Sequence, residues 1–291
     1  MQEGSSRASE FDIRSTILRD LADAPEIELP FGKAVHLPQF EPVRIGPLSL
    51  DFSITKHVVF LGLAAFLVAV LLIPAARSAR RAHQAGMHEA PRGFANIVEA
   101  VILYLRDEVA LPNLGPGGER YVGFIITLFL FILFANLLGL VPWGASPTGN
   151  ISVTAALAAT TFVVVEVAGM RALGWKGYLK TIFYAPNGMA WWMKIPMLLI
   201  LTPVEVLGKL TKPFALAVRL YANMTAGHAV LLALTGLLVL AGTANSLFVA
   251  PAPLVMAVAI MILEVFVAFL QAYIFAMLSS VFIGLIRHAH T

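Results

Sequence analysis

Long apolar runs separated by short polar or basic segments dominate the chain. The first three runs are each about 20 residues long, which suits one crossing of a hydrocarbon core about 30 Å thick. The last two runs are longer than an upright crossing needs, so we expect them to lie strongly tilted. The predicted crossings are residues 54–73, 121–141, 151–170, 196–240 and 251–286. The pattern therefore predicts an all-α integral membrane protein with about five transmembrane crossings.

Residues 91–110 show a different pattern, with apolar side chains at helical spacing and charged residues between them. The apolar positions are Phe94, Ile97, Val98, Val101, Ile102 and Leu105. A helix with one apolar and one charged face lies in the membrane interface and does not cross it. We therefore predict an amphipathic helix on the cytoplasmic side.

Basic residues are concentrated after the first and third runs, whereas the loops after the second and fourth runs carry no charge. The basic residues in question are Arg77, Arg80, Arg81, Arg171, Lys176, Lys180 and Lys194. Basic loops stay in the cytoplasm. This places the N-terminus outside and the C-terminus in the cytoplasm, and divides the chain into an extracytoplasmic segment, 1–53, and a membrane domain, 54–291.

The first fifty residues lack the apolar run of a signal peptide and are too acidic for a transit peptide, so we expect them to remain on the mature protein. Residues 15–21 are predicted to form a helical turn or two. The proline-containing stretch 30–47 is predicted to be an extended linker.

The amino-acid composition excludes several classes of protein and of functional site. Hydrophobic residues make up 59% of the chain and charged residues 13%, about half the charged share of a soluble domain. The absence of cysteine excludes disulfides and thiolate metal sites, and no phosphate-binding glycine loop or HExxH motif occurs. We predict no catalytic residues, no metal and no cofactor. The basic excess belongs to the loops, so nucleic acid is not a predicted partner.

Arg219 lies within LAVRLYANMTAG, inside the fourth apolar run. A charged side chain there costs about 2.5 to 3.5 kcal/mol even on lenient insertion scales, so it needs a partner or water. The alternative is an arginine that reaches the headgroups, but its apolar flanks favour a functional residue. Helical spacing places Glu205, Lys212, Arg219 and Asn223 within about 40° of one stripe.

Two further polar positions lie in the last two runs. His228 follows Arg219 by nine residues on the opposite helix face, and Glu264 and Gln271 share a stripe because they are seven residues apart. A histidine and a carboxylate inside a membrane suit proton relay, because modest environmental effects bring both into the neutral pH range. The alternative is a buried pair that only ties two helices together.

Two other polar residues are interpreted structurally at this point. Asn136 is a lone amide in the second run, a residue type that typically holds membrane helices together. Glu166 lies late in the third run, five residues before Arg171. We expect Glu166 and Arg171 to form an interfacial ion pair outside the functional site.

Two segments resemble subunit a of F-type ATP synthases. They are TPVEVLGKLTKPFALAVRLYANMTAGH, residues 202–228, and ILEVFVAFLQAYIFAML, residues 262–278. The sequences FANLLGLVP around Asn136 and PTGNISVT at 147–154 extend the resemblance, which begins at the first run and reaches the C-terminus. The first fifty residues are not covered by it.

The resemblance implies specific roles and partners. Arg219 would face a rotating ring of c subunits, attract a ring carboxylate and keep protons from slipping between two offset half-channels. His228, Glu264, Gln271 and Asn136 would line or border the outer access path, and Glu205 would lie near the cytoplasmic exit. Peripheral-stalk b-type subunits and a bacterial inner (plasma) membrane are also implied.

Two positions depart from the pattern of many bacterial members. The residues at His228 and Glu264 are exchanged, since glutamate usually precedes histidine there, which suggests that the two side chains touch across helices. Gly139 replaces an aspartate found in some members, so a less acidic outer vestibule is expected.

Two other functions remain open at the level of the sequence. A self-contained transporter would use Arg219 to bind an anionic substrate, although no inverted repeat is visible. A structural scaffold would use the polar residues only to hold helices together. Proton or sodium selectivity would depend mainly on the ring subunit.

Overall fold

The computed structural model describes residues 26–29, 33–39, 43–45, 48–50, 53–85, 94–141, 144–183, 191–242 and 251–287. Contacts divide the chain into two compact units. Unit 1 comprises Met1–Ala64, Ala135–Asn150 and Ala222–Ala268. Unit 2 comprises Ala65–Phe134, Ile151–Tyr221 and Phe269–Thr291.

Helices account for most of the described residues. They are α1 Lys56–Ala85, α2 Phe94–Tyr104, α3 Leu111–Leu114, α4 Val122–Leu140, α5 Ile151–Ile182, α6 Trp191–Gly242 and α7 Pro251–Arg287. A π-helical segment, Leu105–Ala110, connects α2 to α3, and short 3-10 turns cover Glu119–Tyr121 and Pro147–Gly149. Three prolines of α6, Pro196, Pro203 and Pro213, lie inside a helix that continues through them.

Within the described residues, four helical stretches are long and apolar enough to cross a membrane. They are Lys56–Arg77, Glu119–Leu140, Ile151–Ile182 and Pro253–Arg287. The predicted class, a helical membrane protein, is thereby confirmed. The fifth crossing, expected within α6, and the orientation of both termini stay predictions.

The N-terminal segment differs from the predicted linker. Strands β1 Glu26–Leu29 and β2 Lys33–His36 pair antiparallel, and so do β3 Val43–Ile45 and β4 Leu48–Leu50. The linker interpretation of 30–47 was wrong for the described residues of β2 and β3, because each of these strands is hydrogen-bonded to a neighbouring strand. The helical turns predicted for 15–21 lie outside the described residues.

Helix α5 runs past the predicted end of the third crossing at residue 170. Gly174 has φ 70° and ψ 166°, a backbone conformation that interrupts the helix and redirects the chain. The helical residues that follow continue to Ile182 and carry Tyr178. A basic loop was predicted here, and the structure shows a second helical segment instead.

The hydrophobic core of unit 2 surrounds α4. Phe129, Ile125 and Ile132 are fully buried there with Phe275 of α7, and the ring of Phe129 meets that of Phe269 edge-on with centroids 5.4 Å apart. Edge-on pairs of this kind add stability beyond the area they bury. Helix α4 is therefore the centre of this unit.

The predicted amphipathic helix packs against protein at its C-terminal end. Leu105 and Val109 in the π-helical segment are 1% exposed and belong to the unit 2 core, whereas Ile97 in α2 is 62% exposed. The charged residues Arg106 and Asp107 point outward and form an exposed ion pair at 3.7 Å. Its position at the membrane interface stays a prediction.

The end of α7 is fixed to the turn after α3. The guanidinium of Arg287 donates hydrogen bonds to the carbonyl oxygens of Leu114, at 2.8 Å, and Pro116, at 2.9 Å. Gly284 lies so close to Asn113 that a Cβ atom would come within 3.1 Å of the Asn113 carbonyl carbon. Glycine at 284 therefore permits the close approach.

Candidate functional site

Arg219 lies in unit 2 on α6 and is exposed. It lines a cavity of about 280 Å³ together with Thr211, Lys212, Leu216 and Phe282, among others. Among the ion pairs of the described residues, none involves Arg219. Its charge is therefore not neutralised by a carboxylate within the described part of the chain.

Lys212 connects this cavity to a second one. Its Nζ atom lies 5.2 Å from the ring centroid of Phe282, a cation–π contact. Lys212, Leu216 and Phe282 line both cavities. Because α6 contributes Lys212 and Leu216 one helical turn apart, the two cavities follow the same side of α6.

The second cavity, about 150 Å³ in volume, holds the predicted residue Glu205. It is also lined by Glu166, Lys209 and the two hydroxyl residues Thr161 and Thr181. Two carboxylates and two lysines, counting Lys212, thus share one space in unit 2. We call it the charged cavity.

Glu166 belongs to the charged cavity, contrary to prediction. Its carboxylate accepts a hydrogen bond from the hydroxyl of Tyr178 and lies 3.6 Å from the Nζ atom of Lys209. Lys209 in turn donates to the Tyr178 hydroxyl at 3.4 Å and lies 4.4 Å from the centroid of that ring. The expected interfacial pair with Arg171 was wrong, because the chain beyond Gly174 brings Tyr178 to Glu166 and α6 supplies a nearer cation.

Sequence spacing gave no signal for this network. Glu166 and Lys209 are on different helices, and Tyr178 follows a turn that the apolar pattern did not predict. The available signals were Glu166 and Lys209 themselves, charged residues in predominantly apolar runs. The partner of such a residue can be identified only after the helices are placed.

Gln271 is also in unit 2, on α7, and is 1% exposed. It has an interaction within the chain. The remaining predicted residues, Asn136, Asn223, His228 and Glu264, belong to unit 1. The structure therefore brings Glu205, Lys212 and Arg219 to adjoining cavities and places four other candidates in the other unit.

Asn136 forms the centre of a hydrogen-bond network in unit 1. Its side-chain nitrogen donates to the carbonyl oxygen of Ala268 at 3.3 Å, and its side-chain oxygen accepts from the hydroxyl of Thr148 at 2.7 Å. Thr148 and Ser146 are joined at 2.8 Å. The amide is fully buried and joins α4 to α7 and to the turn at 147–149, as expected of a residue that holds helices together.

Gly139 is required by the same turn. A Cβ atom at this position would lie 2.9 Å from the Cα atom of Ser146. An aspartate would not fit without moving the turn. The glycine therefore reflects close backbone packing in addition to any effect on the charge of the outer vestibule.

Glu264 is buried, with 8% of its surface exposed, and neither carboxylate oxygen has a hydrogen-bond partner among the described residues. Its carboxyl group packs against Gly227 of α6, where a Cβ atom would lie 3.0 Å from Glu264 Cδ. An unpartnered buried carboxylate is costly, so such groups are found where water or protons reach them.

His228 is half-buried and directly follows Gly227, while Asn223 is exposed. Both have interactions within the chain. The structure thus brings Glu264 to the residue next to His228. The predicted contact between the two side chains stays a prediction.

Known proteins are similar to this chain over most of its length. The family profile described as ATP synthase A chain matches residues 58–284. ATP synthase subunit a of Myxococcus xanthus is 46% identical over 289 residues, covering 90% of each chain. ATP synthase subunit a 2 of Chlorobaculum tepidum is 44% identical over 257 residues, covering 88% of this chain and 68% of the relative.

Proposed function

The chain belongs to the ATP synthase A chain family, and we propose on this premise that it conducts protons through the membrane sector of a rotary ATP synthase. It provides two offset half-channels and an arginine between them. Proton flow through these paths is coupled to rotation of a ring of c subunits and so to ATP synthesis. The chain itself catalyses no covalent step.

Arg219 carries the proposal. Its guanidinium stays protonated at any physiological pH, is exposed on α6 and has no carboxylate partner among the described residues. A permanent charge in an apolar run needs a counter-charge. We assign that role to the membrane carboxylate of each passing c subunit.

The fixed charge also prevents leakage. One elementary charge crossing 100 mV releases about 2.3 kcal/mol, so protons that bypass the ring waste the energy of synthesis. A cation between the half-channels repels protons and attracts only a deprotonated ring carboxylate. Protons must then leave and return through the ring.

The outer half-channel is assigned to His228 and Glu264, with Gln271 and Asn136 at its border. Glu264 is buried and neither of its oxygens has a hydrogen-bond partner in the described part of the chain, which supports this role because both oxygens are available to bind a proton. Asn223 is a supporting residue near Arg219 in the sequence.

The cytoplasmic half-channel is assigned to Glu205, with Lys212 as a supporting residue. Glu205 lines the charged cavity, which adjoins the cavity of Arg219 through Lys212, Leu216 and Phe282. The position of the two adjoining cavities along α6 supports this assignment.

The family membership implies assembly with the c-ring and with peripheral-stalk b-type subunits. The two relatives described above are subunit a proteins of bacterial ATP synthases, which supports a place in the bacterial inner membrane. The rival functions have less support: a lone transporter does not account for the family membership, and a scaffold does not account for a buried carboxylate that lacks a hydrogen-bond partner among the described residues.

The decisive experiment compares Arg219→Ala with the wild-type complex in inverted membrane vesicles. ATP-driven acidification is expected to disappear, while the complex still assembles. Arg171→Ala, which removes another exposed arginine, serves as the control and should pump normally. Retained pumping by Arg219→Ala would refute the proposal, and solute uptake by the purified chain alone would favour a transporter.

A further inference from the structure

Lys209 has two candidate carboxylate partners in the charged cavity, Glu205 and Glu166. Glu205 precedes it by four residues on α6, the spacing and order at which glutamate and lysine attract each other best on a helix. Nevertheless the ammonium lies 3.6 Å from Glu166 on α5. Among the ion pairs of the described residues, none involves Glu205.

The arrangement around Glu166 explains this preference. The side chains of Lys209 and Glu166 are only 13% and 12% exposed, so their attraction is screened less than that of a surface pair. Tyr178 adds a hydroxyl that accepts from Lys209 and an aromatic face beneath the ammonium. Glu205, by contrast, is exposed.

We propose that Glu166 is a positioning residue of the cytoplasmic half-channel that holds Lys209 away from Glu205. With its ammonium bound by Glu166 and Tyr178, Lys209 does not neutralise Glu205, and that carboxylate remains able to take up and release protons. The inference rests on the proposed function, since it concerns the residue assigned to the cytoplasmic exit.

Among the charged groups around the cavity, Lys209 is the cation whose position decides whether Glu205 is neutralised. Helix α5 contributes Glu166 and Tyr178, and α6 contributes Glu205, Lys209 and Lys212. Lys212 lies over the ring of Phe282. The lining residues from α7 have no titratable group; they are Phe282, Leu285 and Ile286.

The proposal predicts an asymmetry between the two partners of the ion pair. Glu166→Gln frees the ammonium to turn towards Glu205, whereas Lys209→Met removes the ammonium altogether. Glu166→Gln should therefore slow ATP-driven proton pumping about fivefold, equivalent to roughly 1 kcal/mol of barrier. Lys209→Met should pump within about twofold of wild type.

The double variant Glu166→Gln with Lys209→Met supplies the rescue. It lacks both charges and should pump within about twofold of wild type, because no ammonium remains to bind Glu205. All variants are measured in inverted vesicles containing the assembled complex, with pumping normalised to ATP hydrolysis. Glu108→Gln and Lys180→Met, which alter exposed residues outside the cavity, are the matched controls.

A merely structural ion pair would give a different result. Both single variants would then lose pumping to a similar degree, and the double variant would be no better than either. That outcome, or wild-type pumping by Glu166→Gln, would overturn the proposal.

If the complex with Glu166→Gln does not assemble, Tyr178→Phe tests the same proposal. It keeps the ring and the ion pair but removes the hydroxyl that binds both Glu166 and Lys209. We expect a loss of pumping larger than that of Lys209→Met alone, and adding Lys209→Met should restore the rate of that single variant; an unreversed loss, or no loss, refutes the inference. The proposed function fails separately, since that requires pumping by Arg219→Ala.

Discussion

The carboxyl group of Glu264 lies against Gly227, in the space that a side chain at residue 227 would begin to occupy. A Cβ atom there would stand 3.0 Å from Glu264 Cδ, closer than ordinary carbon contacts allow. Glycine therefore lets α7 bring its buried carboxylate to α6, beside the residue that precedes His228. In the proposed mechanism, the outer half-channel depends on this close approach.

Gly227→Ala is expected to displace Glu264 and reduce proton pumping by about tenfold, equivalent to roughly 1.4 kcal/mol, within the usual cost of overpacking. Gly208→Ala is the matched control on the same helix, because a Cβ atom at 208 has nothing within 4 Å. Pumping is measured as ATP-driven acidification of vesicles. Equal rates for the two variants would show that the approach has no functional role.

The exchange of His228 and Glu264 relative to many bacterial members leads to a second prediction. His228→Glu and Glu264→His are each expected to impair pumping, because one path then holds two like groups. The combined variant should recover more pumping than either single variant, since it restores one histidine and one carboxylate. Equal damage in all three would argue against contact between the two side chains.

Asn136 is expected to contribute mainly to stability. Asn136→Ala leaves the Thr148 hydroxyl without its acceptor and should lower the free energy of unfolding by about 1 to 3 kcal/mol. Thr148→Val should have a similar effect on the thermal denaturation of the purified complex. Thr160→Val is the control, because that hydroxyl is exposed and donates to the carbonyl oxygen of Ala156 in its own helix. An Asn136→Ala complex as stable as wild type would contradict this role.

Gly284→Ala is expected to separate the end of α7 from Asn113. The added methyl would overlap the Asn113 carbonyl group, and the cost of such overpacking is about 1 to 3 kcal/mol. The thermal denaturation midpoint of the complex should fall. Gly123→Ala has open space around its Cβ position and should leave the midpoint unchanged; a similar decrease in both would point to a general effect of alanine.

The sequence by itself determined the features that depend on the order of residues along one element. Runs of apolar residues predicted helices long enough to cross a membrane because the bilayer sets their length. Arg219 was identifiable because a charge in such a run is costly wherever the helix packs. The segments 202–228 and 262–278 resemble a family whose membership the comparisons then confirmed.

Other features depended on which helices meet, and only the tertiary structure decided them. The pairing of Glu166 with Lys209 required the placement of α6 beside α5, and the contact of both residues with Tyr178 required the turn at Gly174. The need for glycine at 139 and 227 could be recognised only from the tertiary structure, which places Ser146 and Glu264 where a Cβ atom would lie. Helical periodicity fixes the face on which a side chain lies, but the partner of a polar group is selected by the lowest cost of burial among all neighbouring helices.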